Sequence, residues 1–276
     1  MSRRLVDHHG PRRAARGSAG LAIVACAAAI VSCARADGSD GATEEPADVV
    51  VTETDASDAA ADQAATNRLT GEEADEGFVL LFDGESLEAW RGFRRDDLPA
   101  GWSAIDGVLT YTPGVGDGDI ITRETFTDFD LRLEWKLGPG GNSGVFFGVV
   151  EDTRRTYESG PEMQILDDDR HPDGQNPLTS AGSNYALHAP SEHNARPVGE
   201  WNEIRIVRRA NRIEQWMNGV RVVEYEIGTD EWKALVAGSK FARWPDYGIH
   251  PEGHLGLQDH GNPVEFRNIR IRRLDP

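Results

Sequence analysis

Leu131-Arg132-Leu133-Glu134-Trp135-Lys136-Leu137 alternates strictly between apolar and charged side chains. Successive side chains on an extended chain point to opposite faces, so this stretch is a strand with one buried and one wetted face. The same period recurs on both sides of it. Upstream, Gly77 to Gly84 reads as a first strand closed by a turn. Trp102 to Thr110 reads as a hairpin with Asp106-Gly107 where positive φ is needed. Downstream, Val145-Phe146-Phe147 lies between Gly144 and Gly148, an apolar run suited to a central strand. Trp201 to Val207, Ile213 to Met217 and Val220 to Tyr225 follow, the last two flanking the hairpin signal Asn218-Gly219. Leu255 and Leu257, Val264 and Phe266, then Ile269 and Ile271 close the pattern, and Glu231 to Ala237 suits one short helix. Short strands at close spacing with Gly-rich turns predict an all-β chain, a two-sheet sandwich or jelly roll. Heptads, a P-loop, a dinucleotide fingerprint and internal repeats are all missing from the sequence.

Chemistry gathers on Gly160-Pro161-Glu162-Met163-Gln164-Ile165-Leu166-Asp167-Asp168-Asp169. Met163 and Ile165 point one way on a strand, Glu162 and Gln164 the other. Leu166 breaks the alternation. A bulge there would return Asp167 to the face of Glu162 and Gln164, placing two carboxylates and an amide together. Residues 170 to 198, punctuated by four X-Pro pairs, predict a long loop, which in a compact domain is functional or disordered.

The N-terminal third has a different character. Arg3, Arg4, Arg12, Arg13 and Arg16 precede an uncharged apolar stretch, Gly17 to Ser32, short for the ~20 residues a membrane span needs. It ends in Ile30-Val31-Ser32-Cys33, which resembles a bacterial lipobox. The expectation is a signal peptide over 1–33, lipidation at Cys33, and export to a lipid anchor, with Ala34 pointing to the outer membrane, on its periplasmic or surface face. Residues 34–76 carry 13 acidic residues against Arg35 and Arg68 and few large apolar ones, which predicts a disordered acidic tether. The folded domain is then 77–276. Cys26 and Cys33 are the only cysteines, so that domain has no disulfide and no thiol nucleophile. A net charge of −18 argues against nucleic acid as a partner.

Six motifs in order carry a resemblance. They are Phe82-Asp83-Gly84, Asn142 to Phe147, Gly160 to Asp167, Gly199-Glu200-Trp201-Asn202, Gly256-Leu257-Gln258-Asp259-His260-Gly261, and Phe266-Arg267-Asn268-Ile269-Arg270-Ile271. Together they resemble the 3-keto-disaccharide hydrolase domain family over about residues 77 to 274. The resemblance implies a concanavalin-like jelly-roll β-sandwich and an enzyme acting on glycosides already oxidised at C3. It also implies an oligosaccharide or glycoside substrate and a sugar 3-oxidoreductase working upstream. Family members often carry Arg after the Phe-Phe pair, where this chain has Gly148.

A C3 ketone acidifies C2–H, so the chemistry needs a base near C2, a stabiliser for the enolate oxygen and an acid for the leaving oxygen. Glu162 is the candidate base, His260 the candidate acid or enolate stabiliser, and Asp168 or Asp167 the second carboxylate. Gln164, Asn142, Tyr185, His188, Trp201, Gln258 and His254 are candidate substrate contacts, with His254, Gln258 and His260 sharing a face at spacing two. A divalent metal on Glu162, Asp168, His188 and His260 would serve as enolate stabiliser, and the Asp167–Asp169 run would suit structural calcium. Two other readings stay open. One is a carbohydrate-binding module without catalysis, and the other an ordinary retaining glycanase using Glu162 and Asp167.

Overall fold

The computed structural model describes residues 66–275, and the signal peptide, Cys33 and residues 34–65 lie outside the described residues. Two antiparallel sheets face each other. The strands are β1 (Val79–Leu80), β2 (Trp90–Gly92), β3 (Trp102–Ile105), β4 (Val108–Tyr111), β5 (Ile120–Thr122), β6 (Phe129–Leu137), β7 (Asn142–Val149), β8 (Glu162–Leu166), β9 (Asn202–Arg209), β10 (Arg212–Met217), β11 (Val220–Glu226), β12 (His254–Leu257) and β13 (Val264–Arg273). The larger sheet runs β11-β10-β9-β6-β13-β4-β3, with β1 on β13, and the smaller runs β2-β5-β12-β7-β8. This is the expected jelly-roll sandwich. The alternation of β6 buries Leu131, Leu133, Trp135 and Leu137 against Val145, Phe147, Met163 and Ile165 of the smaller sheet.

Both hairpin signals hold for the reason they are signals. Asp106 and Gly107 have φ of 51° and 79°, Asn218 and Gly219 of 47° and 81°, the two positive values a type I′ turn requires. The helix arrives as α2 (Asp230–Ala237), its N-terminus capped by the Thr229 hydroxyl accepting from Trp232 N–H.

Three expectations are corrected. The β7–β8 register runs without a shift from Phe146↔Glu162 to Asn142↔Leu166, so there is no bulge at Leu166 and the strand simply ends there. The tether does not reach residue 76. Helix α1 (Gly71–Asp75) closes a capping box between Thr70 and Glu73, Glu73 pairs with Arg270 at 2.5 Å, and Asn67 exchanges hydrogen bonds with Asn268. Acidic residues that read as mutual repulsion find arginines on β13 instead. Finally, the long loop is partly a surrogate strand. Gln164 N–H donates to Ser183 O, Gly182 N–H to Gln164 O and Tyr185 N–H to Glu162 O, so Ser180–Tyr185 satisfies the free edge of β8.

Candidate active site

Glu162 and Gln164 lie on the outer face of the smaller sheet, yet they are only 4% and 1% exposed. The segment bonded along β8 covers them, together with the turn after α2. What remains open is a pocket of about 190 Å³ lined by Asn142, Glu162, Gln164, Tyr185, Gln258 and His260. These six come from the sequence reading. Asp119, Arg155, Tyr157, Lys240 and Asp259 complete the wall.

The position of Glu162 depends on its neighbour across the ladder. Gly144 pairs with Gln164. A Cβ on Gly144 would sit 2.8 Å from Glu162 Cδ and 2.9 Å from Cγ. The Glu162 side chain therefore lies flat over β7, and only glycine leaves room for it. Gln258 Nε2 donates to Glu162 Oε1 at 3.0 Å. With its amide nitrogen turned to the same oxygen, Gln164 donates to Glu162 Oε1 at 3.2 Å and to Ser143 O at 3.0 Å. Two amides thus hold one carboxyl oxygen.

Burial is the main force on the Glu162 carboxyl and pushes its pKa up to about 8. Lys240 opposes this, Asp119 and Asp173 add to it, and the Gln258 hydrogen bond lowers it. Lys240 is exposed, and partial desolvation depresses its ammonium pKa while Glu162 and Asp173 hold it up. Its Nζ stands 3.9 Å from the Tyr185 ring centroid and 6.0 Å from that of Tyr157, a cation on an aromatic wall. Tyr185 OH donates to Asp173 Oδ2 at 3.0 Å. Asp119 is a latch between loops. It accepts from Thr156 Oγ1 and from Asp259 N–H (2.8 Å), and burial raises its pKa to about 6. His260 is exposed at the rim, edge-on to His171 with ring centroids 6.0 Å apart. Asn142 Nδ2 approaches His171 Nε2 at 3.4 Å, while Asn142 Oδ1 is buried without a hydrogen-bond partner.

Five predicted site residues are not brought here. Asp167 and Asp168 line a separate, larger cavity of about 590 Å³ beyond the end of β8. Asp167 accepts from Gly140 N–H at 2.6 Å and pairs with Arg170 at 3.3 Å. Burial opposes its ionisation, but these partners hold its carboxyl below the usual range. Asp168 accepts from Ala181 N–H at 2.8 Å, and burial raises its pKa. Both carboxylates brace loops, and without the bulge neither joins Glu162. His188 stacks on Tyr225 with centroids 4.7 Å apart and bonds Asn184 Nδ2 through Nδ1 at 2.9 Å, a core histidine whose burial lowers its pKa. His254 keeps the outer face of the smaller sheet with Gly256 and Gln258, since Leu255 and Leu257 between them point into the core, but it stands at the far end of β12, opposite Val149 and away from the pocket. Its Nδ1 faces Glu124 O at 3.3 Å, its Nε2 Glu151 at 3.9 Å. Trp201 is sandwiched by Lys136 and Arg267 on the larger sheet.

The four residues considered for a metal therefore do not meet. Among the described residues, no three His, Cys, Asp or Glu side chains converge on one position. Within the Asp167–Asp169 run, Asp167 and Asp168 are likewise turned toward backbone donors and basic side chains rather than to a common ion.

A β-sandwich with a buried, pKa-raised carboxylate, an ammonium on an aromatic wall and a sugar-sized pocket defines a carbohydrate-active enzyme. Comparison with known proteins agrees. The model of the 3-keto-alpha-glucoside-1,2-lyase-like domain matches residues 77–272, and the chain belongs to that family. A 3-keto-disaccharide hydrolase from Bacteroides thetaiotaomicron is 35% identical over 230 residues, which cover 72% of this chain and 79% of that protein. A suspected glycosyl hydrolase of solved structure from Parabacteroides distasonis is 35% identical and superposes with a TM-score of 0.71, covering 76% of this chain and all of that one. A second such protein from that organism is 29% identical with a TM-score of 0.56, covering 71% of this chain and 99% of its own. The chain is accordingly an enzyme of the glycoside hydrolase class.

Proposed function

We propose that the chain hydrolyses 3-keto-glycosides by proton abstraction at C2, elimination and hydration. The observation that carries this is Glu162, a carboxyl held near neutrality beside Lys240 in a pocket with room for one pyranose ring. A base whose pKa lies near the working pH combines adequate ionisation with strength toward a carbon acid. The Glu162 carboxylate takes the C2 proton, and the electron pair moves into the C2–C3 bond and onto the C3 oxygen. The Lys240 ammonium stabilises that enolate. Collapse of the enolate breaks C1–O, and His260 at the rim protonates the departing oxygen. Water then adds hydroxide at C1 and a proton at C2, giving the free 3-keto-sugar. Asn142, Gln164 and Gln258 supply amides for ring hydroxyls, and Tyr157 and Tyr185 supply apolar walls.

A retaining glycanase on Glu162 and Asp167 has less support, because those two carboxylates line different cavities. The lipobox-like Ile30-Val31-Ser32-Cys33 supports an exported, Cys33-anchored protein that acts after an oxidoreductase forms the ketone.

The test is a 3-keto-disaccharide beside its unoxidised parent, in deuterated water. Cleavage of the keto form alone, with solvent deuterium at C2 of the product, is expected. Cleavage of the parent at a similar rate, or full retention of the original C2 hydrogen, overturns the mechanism.

A further inference from the structure

Beside the Glu162 pocket lies a second cavity of about 560 Å³, and Asp119, Arg155 and Asp259 line both. Arg94, Arg95 and Arg154 line it too. Such a cluster is unexpected in a chain of net charge −18.

The charges of this cavity are arranged asymmetrically. Two of its three carboxylates, Asp119 and Asp259, are turned to the protein, and the third, Asp117, is exposed. Asp259 accepts from Gly118 and Gly261 N–H, both at 2.8 Å, Asp119 from Thr156 and Asp259, and Asp117 from Tyr111 OH. The arginines are exposed. Arg95 pairs with Asp97. Arg94 donates only to Thr153 O from its guanidinium, at 3.2 Å. Among the described residues, Arg154 and Arg155 form no ion pair or side-chain hydrogen bond. Arg94 is also held with φ of 57°, a conformation disfavoured for a branched-off side chain and natural for glycine. Glu151 fixes it there by accepting from Arg94 N–H at 2.7 Å while gripping Arg91 with both oxygens. Backbone strain kept for an exposed arginine beside a catalytic pocket points to a use for that arginine.

We propose that this cavity receives the leaving moiety of the substrate, and that Arg94, Arg154 and Arg155 select one bearing an anionic group, a carboxylate or a sulfate ester. Guanidinium groups bind planar or tetrahedral oxyanions through paired N–H donors, which suits both. The inference rests on the Glu162 pocket holding the keto-sugar ring.

The test compares 3-keto-glucosides whose leaving group is glucose, glucuronate or glucose 6-sulfate, with wild type and R94Q/R154Q. Wild type is expected to favour an anionic leaving group by about tenfold in kcat/KM at low salt, the effect of two part-exposed charge-assisted contacts. The preference should shrink with salt and vanish in the double variant, while the glucose substrate keeps its rate. Preference for glucuronate over the sulfate, or the reverse, identifies the anion. Equal rates on neutral and anionic substrates in wild type overturn the inference and leave the proposed function standing. If no keto-substrate is cleaved, the proposed function fails, and titration of the full chain with methyl glucuronide against methyl glucoside decides the cavity separately. Salt-sensitive binding of the glucuronide, lost in R94Q/R154Q, supports it, and binding that is equal or undetectable for both overturns it.

Discussion

Replacing Gly144 by alanine tests the assignment of Glu162 without touching the carboxylate. The new methyl would lie 2.8 and 2.9 Å from Glu162 Cδ and Cγ, and closer still to Oε1. Ordinary contact needs about 3.4 Å or more, so the carboxyl must move by roughly 0.5 to 1 Å. Its bonds to Gln258 and Gln164 share that same oxygen and cannot both survive. The Gly144 backbone is not in the left-handed region, so the cost to folding is that of modest overpacking, about 1–3 kcal/mol. The cost to catalysis is larger, because a misplacement near 1 Å lowers a rate by about 10²-fold. Steady-state kinetics on a 3-keto-disaccharide, with thermal melting as the folding control, measures both. The decisive arm is a cycle with Glu162→Gln. Because Gly144→Ala acts through Glu162, it should add almost nothing to the loss in the Gln background. A folded Gly144→Ala enzyme with wild-type kcat, or two losses that simply multiply, refutes the placement of Glu162 as base.

The acidic limb of kcat/KM should fall near pH 8 in the free enzyme, since Glu162 acts as its carboxylate; Lys240→Met removes the charge that lowers this pKa, and the limb should move up. Stability should show the linked effect. The folded pKa of about 8 lies above the ordinary 4.5, so native protein binds the extra proton between those values and loses stability as pH rises through them. That loss is at most about 5 kcal/mol at ~1.4 kcal/mol per unit, and denaturant titrations of Glu162→Gln from pH 4 to 9 should show the pH dependence reduced. Asp168→Asn, His254→Ala and Trp201→Ala should each keep kcat within about threefold, because none reaches the pocket; a hundredfold loss in any of them, with the fold intact, would return that residue to the site.

Period two made the sandwich legible. Both type I′ turns, the alternating β6 and the short helix α2 all followed from local chemistry that the tertiary structure did not override. The Glu162, Gln164, Gln258 and His260 group was legible for the same reason, since face membership survives wherever register is continuous. Face membership does not give position along a strand or beyond its end. His254 shares the outer face but lies at the far end of β12, and the plain end of β8 at Leu166 left Asp167 and Asp168 on the far side of the loop. Lys240, Tyr157 and Asp119 come from turns whose approach to the sheet no local pattern encodes. One signal did exist for Lys240. It is one of only three lysines in the chain, and it sits between Ser239 and Phe241 in a run otherwise rich in apolar residues. Residues 66–76 were misread because composition alone does not reveal that arginines on β13 await their charge.

The segment Ser180–Tyr185, bonded along β8, bears on how this enzyme can diversify. It seals a strand edge and walls the pocket at once. Substitutions that reshape the pocket from this segment also unseal the edge, so they would register first as poor solubility and only then as altered selectivity. New substrate ranges are therefore more accessible through the turns bearing Arg94, Arg154 and Lys240, where a side chain can change without freeing a backbone group of the sheet. A library restricted to those turns should yield more soluble, altered-specificity variants than one of equal size in residues 180–185.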